Sequence, residues 1–230
     1  SRIWLQTLVP PVITIGLYFV IFGNLIGRRI GEMGGFQYME FIVPGLIMMS
    51  VIQNSYSNVA SSFFSHKFQR CIEELLVSPV PNYIILLGFV AGGMTRGLAV
   101  GTIVTFVSLF FVDISIQSLA VTMTVVLLAS VVFSLAGFIN ALFANSFDDI
   151  SIIPTFVLTP LIYLGGVFYS VELLPPFWKF ISALNPIFYM VNTFRYGILG
   201  HSDVDIVWAF FMLGVFIVAL FSVCITLLRR

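Results

Sequence analysis

From Leu119 to Ala144 the chain carries no charged side chain. Five other stretches are nearly as bare: about Ile3 to Ile26, Phe41 to Phe64, Tyr83 to Val112, Ile150 to Phe168 and Val207 to Leu228. Arg96 is the one charge among them. A helix needs about 20 apolar residues to cross the roughly 30 Å of bilayer hydrocarbon. Only helices and closed barrels satisfy every backbone polar group there, and a barrel shows short alternating segments instead. The fold expected is therefore all-α, a polytopic membrane protein with six transmembrane helices, spans of about 3–26, 41–64, 83–112, 119–144, 150–168 and 207–228, in one domain over 1–230.

Composition agrees. Hydrophobic residues make up 60%, charged residues 9%, and the mean hydropathy is +1.10, whereas about a quarter of a soluble domain is charged. A net charge of zero leaves no electrostatic basis for nucleic-acid binding. Six spans put both ends on one side. Arg2, Lys67, Arg70, Arg229 and Arg230 then share that side, against Arg28, Arg29, Lys179 and Arg195 on the other. That is a weak positive-inside bias for cytoplasmic ends. The chain opens at Ser1 without Met, which predicts that an N-terminal piece precedes it.

The longest polar interruption runs from Ser65 to Pro81. Within it Phe68, Cys71, Ile72, Leu75 and Leu76 recur at helical spacing on one face, with Lys67, Gln69, Arg70, Glu73 and Glu74 on the other. Pro79 and Pro81 end it. The spacing predicts a short amphipathic helix between two spans.

The second span changes character midway. FIVPGLIMMSVI is apolar, whereas Gln53, Asn54, Ser55, Tyr56, Ser57, Asn58, Ser61 and Ser62 follow. Such groups face other helices or a wet cavity rather than lipid. Gln53, Asn54, Ser57, Asn58 and Ser61 are candidates either for interhelical hydrogen bonds or for lining a translocation route. In the third span Gly93, Gly97 and Gly101 form a small-residue seam for close helix packing, within the subunit or between subunits. Arg96 is the intramembrane charge, and it either snorkels or faces a cavity. The third span, longer than the hydrocarbon is thick, projects from the bilayer and favours snorkelling.

Asp148 and Asp149 stand where carboxylates cap a helix start or meet a partner. Pro154, Pro160 and Gly165-Gly166 predict a bend in the fifth span. From Leu174 to Gly200, two short apolar helices begin after Pro175-Pro176 and at Pro186, too short to cross and rich in interfacial aromatics. A re-entrant pair is expected there. His66 and His201 read as isolated polar surface residues, and Cys71 and Cys224 as ordinary thiols without metal or disulfide spacing. No catalytic constellation occurs. Neither Lys67 nor Lys179 sits in a phosphate-loop context, and a buried carboxylate relay is missing, so a transporter of this kind needs a motor on another chain.

The block FIVPGLIMMSVI…NVASSFF…KFQRCIEELLVSPVP, with FDDISIIPTFVLTPLIYLGGVFYSVELLPPFWKFISALNPIFYMVNTFRYGILG, resembles the ABC-2-type permeases, the membrane subunits of bacterial ABC exporters. The resemblance covers nearly the whole chain. It implies a multi-pass inner-membrane permease that pairs with a second copy and two ABC ATPase subunits. ATP and magnesium would be bound by those subunits, with no cofactor on this chain. The amphipathic segment, about 66–78, then corresponds to the cytoplasmic coupling helix, with Phe68, Arg70, Cys71, Ile72, Glu73, Glu74, Leu75 and Leu76 as ATPase-coupling residues. The segment 174–200 corresponds to an external re-entrant hairpin. An N-terminal interfacial helix is usual in the family and is missing from this sequence, consistent with truncation. The cargo expected is amphipathic or hydrophobic: a drug, a lipid or a lipid-linked glycan. The competing reading is a self-contained secondary transporter or channel.

Overall fold

The computed structural model describes residues 2–27, 31–69, 71 and 80–228, and among them helix dominates. Helix α1, Arg2–Tyr18, continues as a π-helical stretch, Phe19–Gly27. A two-residue ribbon, Glu32–Met33 against Phe36–Gln37, leads into α2, Tyr38–Phe68. Then follow α3 (Asn82–Ser108), α4 (Leu119–Phe143), α5 (Phe147–Leu164), α6 (Pro176–Ala183), α7 (Pro186–Leu199) and α8 (Ile206–Leu228).

Four of these, α3, α4, α5 and α8, are long and apolar enough to cross a membrane. The all-α membrane class stands; the expected count of six does not follow from length and apolarity alone. In α1 only Val9–Phe22 is continuously apolar. Helix α2 is 31 residues long, about 46 Å at 1.5 Å per residue, but its second half is polar. The third span also ends earlier than expected, at Ser108, with Leu109 to Val112 in a turn that leaves Phe110 88% exposed.

Local chemistry sets the helix ends. The Glu40 carboxylate accepts from the Gln37 N–H at 3.2 Å. The Ser118 side chain caps α4, and Asn185 caps α7 by accepting from Ile187 N–H at 3.0 Å. Ser146 and Asp149 form a capping box at α5: Ser146 Oγ accepts from Asp149 N–H at 3.2 Å, and Asp149 accepts from Asn145 and Ser146 N–H. Gly200, at φ +74°, closes α7 in the left-handed conformation that a glycine adopts without strain. In α5, Pro154 lacks a backbone N–H, and the helix loosens into a π turn over Pro154–Leu158.

Helix α2 is the axis of the molecule. Every residue from Phe41 to Ile52 is buried, because α3, α4 and α7 pack around it. Close approach of α3 depends on its glycines. A Cβ on Gly101 would meet the Val51 side chain at 2.6 Å, and one on Gly93 would meet Val59 at 2.6 Å. One on Gly97 would collide with the Ser55 hydroxyl. The seam thus lies against α2, and its edge reaches Ser130 and Ser134 of α4. Conversely, α8 turns Val207, Trp208, Phe211, Val215 and Val218 outward, as lipid contact requires.

Candidate functional site

Beyond Ile52, α2 divides lengthwise. Ser55, Tyr56, Val59, Ala60, Phe63 and Phe64 remain buried against α3 and α4. Gln53, Asn54 and Asn58 are half-buried, and Ser57 and Ser61 are exposed. The five candidate lining residues therefore share one flank, spaced three and four residues apart. Two of them are held by their own helix: Asn54 Nδ2 donates to Ser50 O at 3.0 Å and Ser61 Oγ to Ser57 O at 2.7 Å. Asn58 reaches a neighbouring helix, its Oδ1 accepting from Arg96 Nη1 at 3.3 Å. A flank of amides and hydroxyls on the most deeply packed helix is costly against hydrocarbon.

Arg96 reaches from α3 to α2. It lies 14 residues from the start of α3, about 21 Å along the axis, and turns toward the polar flank of α2. It lines a cavity of about 340 Å³, together with Tyr56, Ser57 and Ser61 from α2 and Ser151 and Thr155 from α5. The polar flank of α2 offers Arg96 a surface to bend toward. Its Nε is buried and has no hydrogen-bond partner among the described residues. The π turn of α5 borders the same cavity through Pro154 and Thr155.

One end of the bundle gathers the exit of α2, the start of α3 and the α4–α5 connection. Lys67 Nζ donates to Leu142 O at 2.6 Å and Ala144 O at 2.8 Å. It thereby satisfies the free carbonyls that close α4, at the negative end of that helix's dipole. Phe64 and Phe68 both stack against Phe147, at ring separations of 4.9 and 5.3 Å. Phe68 is 64% exposed even so, and Cys71 is exposed. Of the expected coupling residues, Arg70, Ile72, Glu73, Glu74, Leu75 and Leu76 lie outside the described residues. Sequence reading placed Lys67 on a polar helix face; its reach across 75 residues of chain to Leu142 left no local signal.

At the opposite end lies a residue whose burial sequence reading did not anticipate. Arg195, counted above among the charges of the side opposite the chain ends, is fully buried. Its Nη2 donates to Gly166 O at 2.7 Å, its Nε to Phe41 O at 3.3 Å and its Nη1 to Asn192 Oδ1 at 3.3 Å. The guanidinium carbon sits 3.8 Å over the Phe41 ring. Asn192 Oδ1 also accepts from Asp203 N–H, and Asp203 Oδ2 accepts from Ser170 Oγ at 2.9 Å. His201, expected to stand alone, approaches Asp203 Oδ1 at 3.4 Å. This network pins the helical pair α6–α7 to the entry of α2 and the exit of α5. The one available signal was Asn192 and Arg195 three residues apart within an otherwise apolar helix.

The described residues thus form a helical bundle with a half-polar axis, a polar cavity at Arg96, and an end that ties three connections together. The ABC-2 type transporter family matches residues 1–199. The chain is 63% identical over 229 residues to the inner membrane transport permease YadH of Escherichia coli (strain K12), spanning 100% of the chain and 90% of that protein. It is 28% identical over 227 residues to nodulation protein J of Neorhizobium galegae, 98% of the chain and 85% of that protein. The corresponding protein of Rhizobium leguminosarum bv. viciae is 26% identical over 227 residues, 98% of the chain and 86% of that protein. The chain belongs to the ABC-2 type transporter family, as a multi-pass inner-membrane transport permease.

Proposed function

We propose that the chain is the membrane half of an ATP-driven exporter, in which two copies enclose a route for an amphipathic cargo. The observation that carries this reading is the polar flank of α2. Ser57 and Ser61 are exposed and Gln53, Asn54 and Asn58 half-buried on this flank, whereas α8 turns large apolar side chains outward. A second copy, or a wet passage between copies, covers that flank and relieves the cost of leaving it in hydrocarbon. Six crossings, with α1 and α2 among them, belong to the same reading.

The motor is a separate ABC ATPase, two copies per assembly, which holds ATP and magnesium. It docks at the end where Phe68 and Cys71 are exposed, on the segment 66–78, and that segment acts as the coupling helix on the cytoplasmic side. Lys67 and the Phe64–Phe68–Phe147 stack connect this segment to α4 and α5, so that a pull on it moves the bundle as a body. The pair α6–α7 forms the external re-entrant hairpin.

Two experiments test the reading. Reversing charge with Glu73→Lys and Glu74→Lys is expected to depress ATPase activity of the reconstituted complex, and full activity in a normally assembled complex argues against docking there. Replacing Asn54 and Asn58 by Leu is expected to block export while assembly persists. Unchanged export removes the flank from the route.

A further inference from the structure

We infer that the cavity at Arg96 is a binding site for the phosphate head of an anionic amphiphile. This deepens the permease reading, on which it rests for the cavity's access from the route. Arg96 carries five N–H donors and keeps its charge at any physiological pH. In the structure one long bond, to Asn58 Oδ1 at 3.3 Å, is all that engages it, and its buried Nε is left without a partner among the described residues. A cation in the membrane interior that meets no anion is expensive, and such residues mark ligand or ion sites.

Among the described residues no carboxylate forms an ion pair with it. The chain's ten acidic residues are Glu32, Glu40, Glu73, Glu74, Asp113, Asp148, Asp149, Glu172, Asp203 and Asp205. Those among the described residues lie in connections, the short ribbon or the first turns of helices, and Asp149 is already committed to the cap of α5. The cavity, about 340 Å³, has room for more than water and is open at its rim, where Ser57, Ser61, Ser151 and Thr155 are exposed. A planar guanidinium with hydroxyls around it suits a phosphate group, which takes the fork on two oxygens and hydroxyl donors on the others. The loosened turn of α5 beside it, and the outward Ile152 and Phe156 on the same helix, leave an apolar flank for a tail.

The test titrates the purified full-length permease, bound to its ATPase, with dodecyl phosphate, using dodecanol and inorganic phosphate as controls. Dodecyl phosphate is expected to bind saturably, and either control weakly. Arg96→Gln is expected to weaken binding roughly 10- to 100-fold, the range of a lost charge-assisted hydrogen bond. Arg96→Lys is expected to fall between, since it keeps the charge and loses the fork. If Arg96→Gln does not fold, Ser151→Phe, which fills the cavity from an exposed rim position, is expected to abolish binding. Equal binding of dodecanol, or Arg96→Gln and Ser151→Phe binding like the wild type, overturns the inference. Competition by phosphatidylglycerol assigns the site to a bilayer lipid, and lack of competition to another phosphorylated amphiphile; either result keeps the phosphate site. The titration is repeated on the permease alone, and a permease that binds the probe there but never assembles with the ATPase contradicts the exporter reading alone.

Discussion

Arg195 shows how a charge is held without water. Its guanidinium is shared among two backbone carbonyls, one amide oxygen and the face of Phe41, each from a different part of the chain except Asn192. Arg195→Met removes the donor to the Phe41 and Gly166 carbonyls, while Asn192 Oδ1 keeps the Asp203 N–H; each buried group left unsatisfied costs about 1–3 kcal/mol. The melting temperature of the purified protein is therefore expected to fall, and Arg195→Lys is expected not to restore it, because one ammonium does not reach three separated acceptors. A wild-type melting temperature for Arg195→Lys contradicts this account. Such a residue is hard to read from sequence. Arg195 stands among aromatics that suit an interface, and only the fold brings Phe41, 154 residues away, over it. Arg96 was legible as an anomaly, a lone charge in an apolar run, but its direction depended on which helix lay beside it.

At the scale of helices, packing is carried by the seam of α3 against α2. Gly97→Ala drives a methyl into Ser55 and against Ser130, and overpacking of this kind costs about 1–3 kcal/mol. Because the nearest obstruction is the Ser55 hydroxyl, adding Ser55→Ala is expected to recover part of the loss in thermal melts. Strictly additive destabilisation by the two substitutions contradicts direct contact. The seam was visible in the sequence as glycines every four residues; the helices it packs on were not, since spacing along one helix carries no information about its neighbour. Punctuation was more readable. Pro186 and Pro176 do open the two short helices, and Asp149 does cap α5. The end of the third span was misjudged because Leu109 to Val112 is as apolar as the helix before it, so hydropathy gave no stop. The amphipathic segment, the clearest local pattern in the chain, falls mostly outside the described residues.

For the whole molecule, the account turns on what covers the flank of α2. Apolar runs and the family match identify a permease; the proposed route between two copies rests on the half-polar axis. Cysteine cross-linking in native membranes tests that placement most directly. Cys71 is exposed and Cys224 buried, so Cys71→Ser supplies a background with no accessible thiol among the described residues. In that background Ser57→Cys, on the polar flank, is predicted to form a reducible dimer on oxidation, and Val218→Cys, 66% exposed on the apolar face of α8, is predicted to stay monomeric. Dimers through Val218→Cys, with Ser57→Cys monomeric and open to lipid-phase reagents, would contradict a route lined by α2.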